Sequence, residues 1–363
     1  MATAAKSDKR DEPALAERLR LEVERAVQRS LKGMELLGQP PPSVGRTPKT
    51  VMHRRGTLSL YHYRATADEV YRVPLLFVMA PTNKAYILDL APGQSLIEFL
   101  LGRGYDVYMM DWNAPVDEER DLKMDDYVLD FIPDCIRRVQ EDSGEDEVTL
   151  VGYCAGGMLS AIHVALLPDG PIRNLVCFTT PVDFSKMTLF QAWADKKHFN
   201  VDEMADSYGI VPANVITGGF DALRPAGRVT GTLRLWDNLW NDEYVRQYRM
   251  MDRWSAETLP LAGAYFKQTV KSFFWDNALY TDKLVVGGRK VELKKIKVPL
   301  LSVVAEHDHI VPYDCAHPLM EKVGSRDKEE VMLKGGHVSL VAGPNAVKRM
   351  WPKLDQWLAE RST

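Results

Sequence analysis

Cysteine is scarce in this chain: 363 residues include four, at positions 135, 154, 177 and 315. They form no Cys-x-x-Cys motif and no paired spacing of the kind that marks a disulfide-stabilised secreted domain. The scarcity therefore favours a reducing compartment, and we expect a cytoplasmic protein. Cys135, Cys177 and Cys315 are most simply explained as small core residues.

Blocks of like charge and long apolar runs are also lacking. The formal net charge is −4 and there is no basic block, which argues against nucleic acid as a partner. The first residues, MATAAKSDKRDEP, contain no apolar segment, so we expect no secretory signal. Residues 148–167 carry no Asp, Glu, Lys or Arg, but three glycines and a histidine interrupt them. A buried strand, turn and helix would give the same pattern, and we expect no transmembrane segment.

The most informative stretch lies inside those uncharged residues. The strand-forming segment VTLVGY runs into CAGG and then into the helical pattern MLSAIHVALL. A nucleophile with glycine two residues away on each side, between a strand and a helix, is typical of the nucleophile elbow of α/β-hydrolases. Side chains at those glycines would clash with the neighbouring strand and helix. We therefore predict Cys154 as the nucleophile, with the helix N-terminus favouring its thiolate.

An acid and then a histidine follow the nucleophile along the chain in this fold. A predicted strand, VPLLSVV, ends in EHDH, and a shorter one, EVML, is followed by Gly-Gly-His. We predict that Asp308 orients His337 and that His337 takes the proton of Cys154. Asp308 is preferred to Glu306 because the Ile-Val-Pro that follows it fixes the turn. The flanking histidines suggest a metal site, but no third ligand is evident, so none is expected.

These motifs occur together with further segments: Thr47-Pro48-Lys49 before LSLYHYR, NKAYILDL from Asn83, Asp111-Trp112, and TPVDF from Thr180. From about residue 44 to the end, the set resembles the polyhydroxyalkanoate synthases. The length resembles the short catalytic subunits of the two-component synthases, class III or class IV. Thr82 departs from the family pattern, in which a larger apolar residue is usual, and Ser339 departs where glycine is commoner. Both lie near the predicted site and bear on substrate choice.

The resemblance implies that Cys154, Asp308 and His337 are the nucleophile, acid and base of a polymerising acyltransferase. Its substrate would be an (R)-3-hydroxyacyl-CoA, its product a growing polyester, and coenzyme A would be released. The resemblance also implies a location at the surface of cytoplasmic polymer granules and a smaller non-catalytic partner subunit. A homodimer through the cap segment defined below is expected as well.

The chemistry of cysteine points in the same direction. A thiolate accepts an acyl group from a thioester with little change in free energy, and transfer onward to a hydroxyl is then favourable. The coenzyme A thioester is therefore a substrate, and no cofactor is expected. The oxyanion hole would use the backbone N–H of Ala155 and one near Asn83, in the loop after a strand at residues 73–80.

Three alternatives stay open. A dienelactone-hydrolase-like enzyme shares the Gly-Tyr-Cys elbow, the aspartate and the histidine, but such chains are much shorter. Another thioesterase or esterase of the α/β-hydrolase fold is the second alternative. The third is a non-catalytic, synthase-like subunit that binds granules or a partner. Release of free coenzyme A from 3-hydroxybutyryl-CoA would separate these possibilities.

Alternation of strands and helices predicts an α/β-hydrolase fold with a mostly parallel sheet. The predicted strands cover residues 57–63, 73–80, 105–110, 148–153, 174–180, 298–304 and 330–333, with helices near 94–103 and 125–140. Asp308 lies 154 residues after Cys154, more than the intervening βα units need. The excess, residues 184–283, holds five of the eight tryptophans and is predicted to form a large, mainly helical cap that excludes water.

The core is thus predicted in two parts, residues 44–183 and 284–363. Residues 1–43 before it are predicted as an amphipathic helix followed by a linker rich in Pro and Gly. The helix places apolar side chains about four residues apart, at Leu15, Leu19, Val23, Val27, Leu31 and Met34. We expect this stripe to cover the domain's own flank, with a partner helix as the alternative.

Overall fold

The computed structural model describes residues 15–363, and contacts divide this part of the chain into two units. Unit 1 comprises residues 15–42 and 225–253, and unit 2 comprises residues 43–224 and 254–363. Residues 225–253, which fall inside the predicted cap, therefore belong with the N-terminal helix. The prediction that the chain starts without a secretory signal concerns positions outside the described residues.

Unit 2 is built on an eight-stranded sheet. In chain order its strands are β1 (Thr50–Arg55), β2 (Leu58–Tyr63), β3 (Leu75–Val78), β4 (Val107–Trp112), β5 (Val148–Tyr153), β6 (Ile172–Phe178), β7 (Leu300–Ala305) and β8 (Lys328–Leu333). Their order in space is β1-β2-β4-β3-β5-β6-β7-β8. The β1–β2 and β2–β4 pairs are antiparallel and all the others are parallel. The predicted α/β fold with a mostly parallel sheet is confirmed.

Burial explains which strands the sequence predicted. Every residue of β3, β4, β5 and β7 is buried, as expected for strands covered on both faces, and these strands are mainly apolar in sequence. Strand β1 was not predicted. Its sequence, TVMHRR, lies at the sheet edge with mostly exposed side chains, and its pairing with β2 is interrupted between Val51 and His53. It therefore shows no apolar alternation.

The longer helices are α1 (Leu15–Gly38), α2 (Leu96–Gly102), α3 (Ile132–Ser143), α4 (Ala155–Leu166), α5 (Thr188–Trp193), α6 (Val201–Tyr208), α7 (Ala213–Ala222), α8 (Gly227–Asp237), α9 (Asp242–Ala256), α10 (Gly263–Thr269) and α11 (Trp351–Ala359). Shorter α-helical segments are Met124–Asp126, Tyr313–Ala316 and Pro318–Lys322. Single 3₁₀ turns are Ala85–Leu88, Asp117–Glu119, Phe184–Lys186, Leu293–Lys295 and His337–Leu340, and π-helical turns are Tyr127–Phe131, Val270–Trp275 and Ala346–Met350. Two-residue strands pair Ile210–Val211 with Leu261–Ala262, and Val285–Val286 with Arg289–Lys290.

Unit 1 contains the predicted N-terminal helix, and the helix packs by its polar face. Lys32 pairs with Asp242 at 2.5 Å, and Gly33 lies against the side chains of Trp236 and Leu239. The six predicted apolar stripe residues are between 54% and 74% exposed. The expectation that this stripe covers the domain's own flank is therefore wrong, because ion pairs and a glycine contact hold the helix from its other side.

None of the helices described within residues 15–363 is both long and apolar enough to cross a membrane. The uncharged segment at residues 148–167 is divided between β5 and α4, as its glycines predicted. Helix α4 packs directly on β5 and β6, which accounts for its apolar character.

Candidate active site

The elbow between β5 and α4 places Cys154 in a strained conformation. Its φ is +55° and its ψ is −122°, outside the regions that L-residues ordinarily adopt. The turn requires glycine at two positions. A Cβ on Gly152 would lie 2.3 Å from the Gly157 Cα, and a Cβ on Gly156 would lie 2.0 Å from the Val78 oxygen. The thiol therefore stands at the N-terminus of α4, and the side chain is partly exposed.

His337 and Asp308 come together at the carboxyl ends of β7 and β8. The Asp308 Oδ2 atom lies 2.7 Å from the His337 Nδ1 atom, and both side chains are buried. The other oxygen of Asp308 accepts the backbone N–H groups of Ile310 and Val311, each at 2.9 Å. The carboxylate is thereby held on both oxygens and fixes the orientation of the imidazole.

His337 also lies beside Cys154, because both residues line the same cavity. Burial alone would lower the pKa of His337, but the negative charges of Cys154 and Asp308 and the hydrogen bond to Asp308 raise it to about 10. The imidazole is therefore held as an imidazolium at neutral pH. The Tyr153 hydroxyl approaches the His337 carbonyl oxygen at 3.4 Å, and its ring lies 5.2 Å from the imidazole.

The neighbours of Asp308 do not join this group. Glu306, His307 and His309 are all exposed at the surface. Partial desolvation of the His309 ring nevertheless lowers its pKa, and the charge of Arg224 adds to the effect. Among residues 15–363 there is no group of three or more His, Cys, Asp or Glu side chains arranged to hold a metal ion.

The loop after β3 is the second wall of the site, and an ion pair anchors it. The Asp111 carboxylate contacts the Lys84 Nζ atom at 2.6 Å and accepts the Ala85 N–H at 2.8 Å. The N–H of Asn83, predicted for the oxyanion hole, donates to the Ala80 carbonyl within a turn at 3.3 Å. Thr82 hydrogen-bonds the Asn83 side chain through its hydroxyl at 2.9 Å.

Two cavities meet at the nucleophile. The larger, about 540 Å³, lies among cap residues and is almost wholly apolar. Its walls include Met187, Phe190, Trp193, Phe199, Val215, Phe220, Leu261, Tyr265, Phe266 and Phe274. The smaller, about 130 Å³, is lined by His337 and by polar cap residues such as Thr217, Ser255 and Thr258. Thr82, Cys154, Phe220 and Ile310 line both. A reacting carbonyl at the sulfur would thus have an apolar and a polar side.

Sequence patterns missed the residues that the cap contributes. Phe220 and Tyr265 face the nucleophile from helices α7 and α10, and the Trp254 indole donates to the Lys84 carbonyl at 2.9 Å. The tryptophan-rich composition of the cap was the signal available, and it indicated an apolar cover without indicating which side chains reach the sulfur.

The fold and this geometry define a class: a member of the α/β-hydrolase fold with a cysteine at the elbow. Residues 87–344 match the family described as "alpha/beta hydrolase fold", and residues 38–100 match the family described as the N-terminus of poly-beta-hydroxybutyrate polymerase (PhaC). Solved structures agree on the fold alone. A monoacylglycerol lipase of Paleococcus ferrophilus superposes with a TM-score of 0.53 at 16% identity, covering 84% of this chain and 99% of the lipase. A monoglyceride lipase of Saccharomyces cerevisiae gives 0.52 at 12% identity, covering 90% and 97%.

Sequence relatives narrow the class further. The poly(3-hydroxyalkanoate) polymerase subunit PhaC of Allochromatium vinosum is 35% identical over 336 residues, covering 91% of this chain and 94% of the relative. The subunit of the same name from Haloferax mediterranei is 34% identical, covering 88% of this chain; the chain spans only 65% of that relative's length. The chain belongs to the family of poly(3-hydroxyalkanoate) polymerase subunits, acyltransferases of the α/β-hydrolase fold. The predicted family is confirmed.

Proposed function

We propose that this chain polymerises (R)-3-hydroxyacyl groups from coenzyme A thioesters through a thioester on Cys154. The observation that carries the proposal is the arrangement of the site: Asp308 is hydrogen-bonded to His337, and His337 shares a cavity with a cysteine at a nucleophile elbow. Beside that sulfur lies an apolar chamber large enough for an acyl chain. Its cover of cap side chains limits the access of water, which favours acyl transfer over hydrolysis.

The first half-reaction transfers the acyl group to the enzyme. The Cys154 thiolate attacks the thioester carbonyl, the carbon–sulfur bond to coenzyme A breaks, and the leaving thiolate takes the proton of the His337 imidazolium. One thioester replaces another, so little free energy is lost. The raised pKa of His337, about 10, supports this step because it keeps the acid protonated at neutral pH until the leaving group needs the proton.

The second half-reaction forms the ester. His337, now neutral, accepts the proton of a 3-hydroxyl group, whose oxygen attacks the acyl-enzyme and displaces the Cys154 sulfur. The polar cavity supports this assignment because His337 lines it and does not line the apolar chamber. The Asp308 carboxylate stabilises the imidazolium in both steps and is not itself protonated. Neither step needs a metal or another cofactor.

The oxyanion would be held by two backbone N–H groups. Ala155, the first residue of α4, supplies the one after the nucleophile. The other was predicted near Asn83, whose own N–H is used in a turn. We assign it to the neighbouring Thr82, which lines both cavities with Cys154 and whose N–H makes no backbone hydrogen bond among the described residues. Ser339 lies in the turn that begins at His337, where its hydroxyl donates to the Gly336 carbonyl at 2.8 Å.

The exposed apolar stripe of α1 supports a partner. Its six members are between 54% and 74% exposed. Exposed apolar patches of this kind mark interaction surfaces. We propose that a smaller non-catalytic subunit docks here, that the enzyme works at the surface of cytoplasmic polymer granules, and that a homodimer forms through the cap.

Release of coenzyme A tests the function in one assay. With (R)-3-hydroxybutyryl-CoA, a polymerase releases free coenzyme A together with insoluble polyester. A dienelactone-hydrolase-like enzyme or thioesterase would release coenzyme A with free hydroxy acid, and a non-catalytic subunit would release none. Cys154→Ala should abolish turnover, and Cys154→Ser should lose most of it because an alkoxide is harder to form. Wild-type release by Cys154→Ala would contradict the assignment of the nucleophile.

A further inference from the structure

The two points at which the chain passes between sheet and cap are joined by buried hydrogen bonds. Asp183 precedes the first cap turn and is 3% exposed. Its Oδ1 atom accepts the Nδ2–H of Asn277, the residue where the chain leaves the cap, at 2.7 Å. In return the Asn277 Oδ1 atom accepts the backbone N–H of Phe184 at 3.0 Å. We call Asp183 and Asn277 the neck pair.

The surroundings of the neck pair hold it rigidly. The same Asp183 oxygen accepts the N–H and hydroxyl of Ser185 at 3.1 and 2.6 Å. Asn277 has a φ of +45°, a conformation that asparagine tolerates better than most residues. The ring of Phe184, between the two, stacks on Phe273 with centroids 4.7 Å apart. Both ends of the cap are thus fixed to one another.

The neck pair also reaches the loop of the catalytic acid. The backbone N–H groups of Val182 and Asp183 both donate to the Cys315 carbonyl at 3.0 Å. The Cys315 N–H donates to the Pro312 carbonyl at 2.8 Å, four residues beyond Asp308. Ile310 and Val311, which that carboxylate holds, share the apolar chamber with Phe184. A shift of the neck would therefore move the chamber wall and the acid loop together.

We infer that Asp183 and Asn277 are positioning residues that set where cap residues 184–224 and 254–276 stand over Cys154. The inference rests on the proposed function, because the rate it concerns is that of acyl transfer within the chamber. The pair touches no reacting atom. The pair acts through Phe184 and through the loop that follows Asp308. We expect it to govern the rate of elongation and the initial lag that we predict for the isolated chain, with little effect on the reactivity of the Cys154 thiol.

Two variants test the neck pair by changing its charges. Asn277→Asp places a second carboxylate 2.7 Å from Asp183 and removes the donor, so the two groups repel. Adding Asp183→Asn removes one of the two charges, and the new amide can donate to the new carboxylate, which still accepts the Phe184 N–H. The amide nitrogen then cannot accept the Ser185 N–H, so the pair is restored in part. The double variant has the same residue types as the wild type, exchanged between the two positions. Asn214→Asp, in the exposed first turn of α7, is the matched control for the single change.

We expect Asn277→Asp to slow coenzyme A release by about 10- to 100-fold, the cost of displacing reacting groups by about 1 Å, and to lengthen the lag. Iodoacetamide should still alkylate Cys154 at the wild-type rate. The double variant should recover part of the rate, and Asn214→Asp should behave as wild type. Unchanged rate and lag in Asn277→Asp, or a double variant no better than the single one, would overturn the inference.

A second readout does not depend on turnover. Amide hydrogen exchange of residues 184–224 and 254–276 should be faster in Asn277→Asp and partly restored in the double variant. If the wild type released no coenzyme A, the proposed function would be wrong. Amide hydrogen exchange of the cap residues would still test the role of the neck pair. If Asn277→Asp does not fold, Asn277→Gly replaces it, because glycine keeps the positive φ and loses both side-chain bonds. Exchange at the wild-type rate in that variant would count against the pair.

Discussion

At the residue scale, Asp308 and Glu306 can be compared directly, because they are two residues apart. Asp308 is buried and hydrogen-bonded to His337, whereas Glu306 is exposed. Asp308→Asn should lower the rate of coenzyme A release by about 10³- to 10⁴-fold with the fold intact, since an amide favours the wrong tautomer of His337. Steady-state release from (R)-3-hydroxybutyryl-CoA measures the loss, and circular dichroism checks the fold.

Glu306→Gln is the control for that change. The carboxylate is exposed and makes no bond to His337, so its loss should be mild. The reverse ranking of the two variants would move the acid to Glu306. Rapid-quench measurement of the first turnover would show whether the aspartate matters more for acylation of Cys154 or for attack by the hydroxyl.

The pKa of His337 predicts how the thiol responds to pH. Because the value is raised to about 10, the imidazolium persists from neutral pH up to that region and is lost only above it. A neighbouring imidazolium makes a cysteine more reactive, so iodoacetamide should alkylate Cys154 readily at pH 7. His337→Gln removes the positive partner, so alkylation at pH 7 should fall by about tenfold or more.

The other thiols provide an internal control for this measurement. Burial raises the pKa of Cys177 and of Cys315 to about 12, so both remain protonated and inaccessible over the range tested. Labelling at Cys177 or Cys315 would contradict their burial. Equal alkylation rates of Cys154 in wild type and His337→Gln would contradict an effect of the His337 imidazolium on the thiol. Peptide mapping by mass spectrometry distinguishes the sites.

The three predicted site residues could be found in the sequence because each occurs in a short local pattern: glycines around Cys154, Ile-Val-Pro after Asp308, and a double glycine before His337. Their catalytic roles stay predictions. Thr82 was noted only as a departure from a family pattern. Phe220 and Trp254 could not be predicted, because their place beside the sulfur depends on how a helical segment of some hundred residues packs. No local pattern encodes such packing.

At the scale of the elements, the elbow glycines can be tested by a single methyl group. Gly156→Ala would put a Cβ 2.0 Å from the Val78 oxygen, and backbone cannot give way as a side chain would. We expect a loss of about 3 kcal/mol or more in the free energy of unfolding. Gly102→Ala, in α2, meets nothing within 4 Å and should be neutral or stabilising by about 0.5 kcal/mol. Urea unfolding followed by tryptophan fluorescence compares them; equal stabilities would refute the close approach.

Predicted elements were found where burial imposed a clear period, as in β5 and β7. Two local features were missed. Strand β1 lacks an apolar face because it is an edge, and the helix predicted near residues 125–140 is interrupted by a π-helical turn at Tyr127–Phe131 before α3. The rings of Tyr127 and Phe131 both pack against Trp112, so tertiary packing sets that irregularity.

At the scale of the whole molecule, the exposed stripe of α1 predicts dependence on a partner. The isolated chain should turn over slowly after a lag, and a cognate smaller subunit should shorten the lag and raise the rate, because the cap must open to admit coenzyme A and polymer. Val23→Glu combined with Val27→Glu should weaken that effect by removing apolar area from the proposed interface. Initial-rate curves with increasing partner concentration measure it.

Gln28→Glu, exposed on another face of α1, is the matched control and should leave the response to the partner intact. All three substitutions are at exposed positions, so the melting temperature should not change. Full polymerisation without a lag by the isolated chain would refute the need for a partner while leaving the acyl-transfer chemistry standing. A partner response that survives the double variant would place its docking surface elsewhere.

The polar side chains of strand β1 affect how copies of the protein behave when they are gathered on one surface. An outermost strand exposes unpaired backbone groups, and copies of a protein gathered on one surface could join through such strands into fibrous aggregates. Here the outer strand carries Arg54 and Arg55, Arg55 pairs with Asp130, and the pairing with β2 is irregular between Val51 and His53. Charged side chains and an irregular ladder make edge-to-edge joining unfavourable. Many molecules could thus be packed side by side around a polymer particle and remain separate.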